Sequence, residues 1–171
     1  MYYYINNFIF FSILGFFFET GIFKLLHIHN QSGFMYGIWT PFYGTGVLLT
    51  IFIYKLIDKT KLTKLKKNIL LFIIYFFVFT LLEELGGLSL EYLHGYYLWD
   101  YDIVPLHLGK YVSVPTSLLW STFAFTYLYI IKDTTDSLIK KIPKWLTIIL
   151  SLVFVIDWIL TMIKLLTIKS L

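Results

Sequence analysis

The chain contains no cysteine. That excludes disulfides, thiolate metal sites and cysteine nucleophiles, and it leaves the redox compartment unread. Arginine is absent as well, so all fourteen basic residues are lysine. Charge of either sign is sparse, at 14% of 171 residues. No G-x-x-x-x-G-K-[ST] phosphate loop occurs. Neither does H-E-x-x-H nor a G-x-S-x-G elbow, which removes the common metalloprotease and hydrolase patterns. No cofactor or metal is expected. The net charge of +4 is no nucleic-acid signal, because lysines in so apolar a chain first of all set topology. Also missing are a charged region at the N-terminus and a small-x-small cleavage pattern after the first apolar run. That run is therefore expected to be a retained span rather than a signal peptide.

What is abundant is apolar surface: 58% of residues are hydrophobic and 21% aromatic. A soluble domain of this size could not hide that much, since its surface-to-volume ratio forces polar residues outward. Lipid is the solvent that suits the composition. The expected fold is all-α, a polytopic membrane helical bundle forming a single integral membrane domain over residues 1–171. A span needs about 20 apolar residues. Five segments meet or approach that length, at about 4–26, 41–57, 68–90, 112–131 and 145–168. The second is the shortest. The glycine-rich, aromatic "GFMYGIWT" before it reads as a partly inserted loop.

Lysine bias sets the expected orientation. The stretch after the second span holds Lys55, Lys59, Lys61, Lys64, Lys66 and Lys67; the one after the fourth holds Lys132, Lys140, Lys141 and Lys144. Ten of fourteen lysines thus fall on one side, which the positive-inside rule makes cytoplasmic. The topology is then N-in and C-out.

Half of the ten acids lie between Leu81 and Asp102: Glu83, Glu84, Glu91, Asp100 and Asp102. At 1.5 Å per residue, Glu19 lies roughly 21 Å past Ile5, Glu83 roughly 21 Å past Ile69, and Asp157 roughly 17 Å past Leu146. A charge at the centre of a lone helix costs about 2.5–3.5 kcal/mol on insertion scales. These acids are therefore expected to face a protein interior or a wet cavity nearer the outer surface. Glu84, Gly87 and Glu91 share one helical stripe; Ser12, Gly15 and Glu19 share another, and small residues let helices approach closely. Thr40-Pro41 and Ser113 with Pro115 read as helix starts. Their positive dipole ends would favour ionised carboxylates. Lys24 and Lys110 are the lysines placed as direct partners.

Plainer readings stand beside these. Glu84 reads as an interfacial, lysine-paired neighbour of Glu83. Glu91 divides evenly between a solvated acid and a functional one. Trp99 and Tyr101 fit interfacial anchors, and Asp100 fits a turn cap, while remaining a candidate ligand contact. Gly44 and Gly46 read as helix packing. His27, His29, His94 and His107 read as solvated, although imidazoles near acids could bind a divalent metal. Asp157 reads as paired with a helix neighbour or a partner subunit.

Several motifs, in order, resemble one family. They are Glu19, "GFMYGIWTPFYGTG" at Gly33–Gly46, the two-glutamate third span, "WDY" at Trp99–Tyr101, and "PLHLGKYVSVPTSLLW" from Pro105 to Trp120. The resemblance covers roughly residues 8–130, and the family is the bacterial one named putative ABC-transporter permease, type IV. Tyr43, Gly44, Glu91, Trp99, Asp100 and Tyr101 fall on its pattern positions; His107 stands where asparagine is expected. The resemblance implies a transport component of the bacterial cytoplasmic membrane, with ATP hydrolysis supplied by a separate ATPase. A homodimer or other membrane subunits would complete it. The expected ligand contacts are Glu19 and Glu83 at depth, Asp100 at the mouth, and Glu91, Tyr43, Trp99 and Tyr101 around them. The alternatives are a membrane-embedded enzyme acting on outer-leaflet lipid or cell-wall precursors, and a non-catalytic accessory subunit.

Overall fold

The computed structural model describes residues 1–25, 27, 33–95 and 99–169. His29 and the side chain of His94 lie outside the described set. The regular structure among the described residues is helical, with no strand beyond one isolated bridge between His107 and Ser113. The helices are α1 (Tyr2–Leu25), α2 (Pro41–Asp58), α3 (Lys64–His94), α4 (Val114–Thr126), α5 (Lys132–Ile139) and α6 (Lys144–Lys169). A π-helical turn, Tyr127–Ile131, separates α4 from α5. Four helical runs are long and apolar enough to cross a membrane: Tyr2–Leu25, Lys64–Leu93, Val114–Ile139 and Lys144–Thr167. The 18-residue α2 is not among them.

Local chemistry explains several boundaries. α2 opens on Pro41, whose fixed φ suits the first helical position. α4 opens on Ser113, whose hydroxyl accepts from the Thr116 N–H at 3.2 Å, with Pro115 in the first turn. α3 stops at Gly95, which adopts φ 75° and donates its N–H to the Glu91 carbonyl. Expected boundaries shift at both ends of α3 and after α4. α3 begins four residues before Asn68 and runs four beyond Leu90. Lys132–Ile139, expected in a connecting stretch, is helical, so the break before α6 narrows to the residues around Pro143.

The chain divides into two compact units. The first comprises residues 1–48 and 132–164; the second comprises 49–131 and 165–171. In the first, Ile9, Met35 and Trp39 form a buried cluster with Phe8, Leu150 and Phe154 packed on it. Tyr3 donates to Asp136 at 2.7 Å, and Asp136 also pairs with Lys132 one turn earlier, tying α1 to α5. Asn6 accepts from Thr147 at 2.7 Å, bringing α6 to the same helix.

In the second unit, α3 presents one buried stripe at four-residue steps: Leu71, Tyr75, Phe79 and Glu83, continued by Gly87. Ile53 and Ala124 close on its apolar part. The Tyr75 hydroxyl donates to the Thr50 carbonyl at 3.0 Å. Ile69, Ile73, Phe77, Leu81 and Leu85 lie exposed on another face of α3, at the same four-residue spacing. In a spanning helix, such a face is the one lipid covers.

Candidate functional site

Glu83 is the one carboxylate on the buried stripe of α3, and it is 2% exposed. A charged group there needs donors, because burying it unpaired is costly. Tyr101 supplies one, its hydroxyl donating to Oε1 at 2.8 Å. Thr116 supplies a second, its hydroxyl lying 3.4 Å from Oε2, and the Trp120 side chain hydrogen-bonds the same carboxylate. Thr116 stands in the first turn of α4, so the positive end of that helix dipole also faces the acid. No lysine or histidine lies within ion-pair distance of Glu83 among the described residues.

The α3–α4 seam below is lined by small hydroxyl residues. Ser113, Ser117 and Ser121 are fully buried at four-residue steps, and Thr80 donates to Ser117 at 2.7 Å. Hydroxyls of this kind bond across closely packed helices. Sequence reasoning did not single out Thr80, Ser117, Ser121 or Asn6. Their signal was polarity inside otherwise apolar helices, but it is weak, because serine and threonine can also bond their own helix. Ser121 in fact does so, donating to the Ser117 carbonyl at 2.8 Å.

Beyond Glu83, the segment from Trp99 to Ser113 folds over the end of α3. Tyr111 lies on Gly87, where a β-carbon would overlap its ring. Trp99 packs edge-on against Tyr111 and donates its indole N–H to the Tyr111 carbonyl at 3.4 Å. Tyr111 is 2% exposed, and its hydroxyl has no hydrogen bond of ordinary geometry. Burial, with Glu91, Asp100 and Glu84 nearby, pushes that phenol well up, so it stays protonated. Glu91 pairs with Lys110 at 3.3 Å in an exposed contact. Asp100 accepts from the Asp102 N–H at 2.7 Å, the turn-capping role.

The expected site residues therefore part company. Glu83 and Tyr101 are in direct contact. Trp99, Asp100 and Glu91 belong to the same unit, but their closest contacts are Tyr111, a turn and Lys110. Glu84 has no lysine partner among the described residues, and its Oε2 is buried without a hydrogen bond. Glu19 and Tyr43 belong to the first unit. Glu19 is half-buried on α1, and the Tyr43 ring covers Gly15 one turn before it. Among the described residues no three His, Asp or Glu side chains group as a metal site.

Asp157 has a different task. It is 8% exposed on α6. It accepts from the backbone N–H groups of Tyr36 at 3.1 Å and Gly37 at 2.7 Å, and from the Thr161 hydroxyl at 3.1 Å. The expected helix neighbour is there, as Thr161, but two of its three partners are backbone groups. The non-helical segment 33–40 has donors that no helix or sheet satisfies, and Asp157 takes two of them. The Thr40 N–H is taken by the Ser12 carbonyl at 2.9 Å.

No curated protein and no solved structure matches this chain. A family model matches residues 6–164, which extends past the 8–130 stretch carrying the motifs and takes in Asp157. With nearly its whole length matched and four helices fit to cross a membrane, the chain is a membrane protein that belongs to the family described as Putative ABC-transporter type IV.

Proposed function

We propose that this protein is a permease-like component of a bacterial ABC transporter, set in the cytoplasmic membrane as one domain of five spans, N-in and C-out. The family's name supports transport. The lysine-rich stretches support the orientation. A separate ATPase supplies hydrolysis, since the chain has no phosphate loop. A homodimer or further membrane subunits complete the pathway, because five spans are few for one.

The observation that carries the reading is the Glu83 carboxylate. It is buried among neutral donors, Tyr101 and Thr116, with no cation in ion-pair distance among the described residues. Such an acid holds either a proton or an incoming positive group. The solute is accordingly a cation or a small basic or polar molecule. Asp100 and Glu91 lie toward the outer face of the same unit, and Glu19 is the deep carboxylate of the other. Trp99 and Tyr101 shape the walls around Glu83 in the second unit, and Tyr43 packs on the helix that carries Glu19 in the first.

The test is thermal stabilisation of the detergent-purified protein by potassium, magnesium, arginine and spermidine. Glu83→Gln keeps the shape and removes the charge. Stabilisation of the wild type by one probe, weakened about ten-fold or more in Glu83→Gln while insertion stays normal, supports the reading. Retained stabilisation in the variant, or no response from the wild type to any probe, sinks it. One observation favours the accessory-subunit reading instead: protein donors already engage both Glu83 oxygens. In that case Glu83→Gln lowers the melting temperature and alters no ligand response.

A further inference from the structure

We propose that the second unit carries a binding site for the phosphate-bearing headgroup of an anionic lipid, in the cavity where α2 ends and α3 begins. The cavity measures about 250 Å³. One water takes about 30 Å³ of liquid, so there is room for a phosphate with its glycerol, more than one small ion would fill. Apolar Ile57, Leu62 and Leu71 line it together with polar Lys64, Asn68 and Tyr129 and with the Lys67–Asp58 pair. A free anion has no use for the apolar lining; a glycerophospholipid uses both kinds.

The charge balance favours an anion. Lys67 is neutralised by Asp58, at 3.1 Å. Lys64 has no carboxylate within ion-pair distance among the described residues, so one positive charge is left on the wall. Lys59, Lys61 and Lys66 add to it from the same short stretch. Asn68 accepts from the Tyr129 hydroxyl at 2.8 Å, which leaves its amide N–H groups as donors. Tyr129 sits in the π-helical turn Tyr127–Ile131, and such turns occur often where a helix serves a site. The first turn of α3 adds unbonded N–H groups, since Thr63 makes no side-chain cap. Basic pockets at the ends of spanning helices suit anionic headgroups. The inference rests on α3 crossing the bilayer, which puts its first turn at headgroup level; it does not depend on whether anything is transported.

Native mass spectrometry of the full chain in neutral detergent tests it, with phosphatidylglycerol or phosphatidylcholine of identical acyl chains added. Melting with inorganic phosphate at the same concentration supplies the third arm. Phosphatidylglycerol is expected to be retained over phosphatidylcholine by about five-fold or more. Lys64→Gln, at an exposed position, should cut that retention about five-fold, the scale of one lysine beside an anionic surface. Lys140→Gln, in the other lysine-rich stretch, should leave it unchanged. Equal retention of the two lipids overturns the proposal. So does an equal loss in the two lysine variants, which would mean diffuse attraction. Protection by inorganic phosphate as strong as that by phosphatidylglycerol would overturn the lipid as the source.

Discussion

Glu83 and Asp157 are both carboxylates on apolar helices, and their surroundings assign them different work. Glu83 meets side-chain donors from a loop and a helix start. Asp157 meets main-chain donors of a non-helical segment. A backbone N–H cannot be removed by evolution except through proline, so Asp157 answers a fixed demand of the fold. Asp157→Leu takes the acceptor away from the part-buried Tyr36 and Gly37 N–H groups, at a cost below the roughly 1–3 kcal/mol that each fully buried unpaired donor carries. Asp157→Asn still accepts through one oxygen and should lose less. The expected order of melting temperatures in detergent is wild type, then Asn, then Leu. A Leu variant as stable as wild type would show that Asp157 does not hold this segment. The sequence made Asp157 visible as an acid inside a span. It could not make its partners visible, because a carboxylate bound to backbone leaves no complementary residue to find. Glu83 was legible by its depth. Its partner Tyr101 was legible only as an aromatic at an interface, since a separation of 18 positions fixes no distance until the loop is folded.

At the scale of the helix, apolar length placed the four runs fit to cross a membrane, and proline and serine placed the starts of α2 and α4. Which face turns inward was harder to read. Leu71, Tyr75 and Phe79 are buried while Ile73, Phe77 and Leu81 are exposed, yet both sets are apolar. In a helix bathed by lipid, polarity marks the inner face only where polar residues occur. The sequence therefore groups Gly87 with Glu84 and Glu91, whereas in the fold it continues the buried stripe of Glu83. Gly87 lies on the buried stripe, and its lack of a side chain admits Tyr111. Gly87→Ala gains helix propensity of up to about 1 kcal/mol, but forces the Tyr111 ring aside at a cost of about 1–3 kcal/mol. The clash should win, and the variant should melt lower. Gly21 on α1 supplies the control, because nothing lies within 4 Å of where its β-carbon would sit. Gly21→Ala should hold or raise the melting temperature. If the two substitutions behaved alike, propensity alone would be acting and the Tyr111 packing would carry no weight.

For the whole molecule, the open question of span number reduces to a parity. α2 is shorter than the four runs fit to cross, and it is opened by Pro41, Gly44 and Gly46 and closed by Lys55 and Asp58. If it crosses, the chain passes the bilayer twice between Tyr2 and Lys61, and both ends lie on one side. If it does not, they lie on opposite sides. Lysine bias predicts the first arrangement, with residues 55–67 cytoplasmic and Ile103, which is 95% exposed, outside. The absence of cysteine makes the test clean. Single cysteines replace Tyr2, Lys61 or Ile103, and intact cells are treated with a membrane-impermeant maleimide. Five spans with the N-terminus inside predict labelling of Ile103→Cys alone, with the other two reacting only after permeabilisation. Labelling of Tyr2→Cys together with Ile103→Cys in intact cells would make α2 a helix that enters without crossing, leaving four spans. Labelling of Lys61→Cys without Ile103→Cys would invert the protein, and Asp100 and Glu91 would then face the cytoplasm.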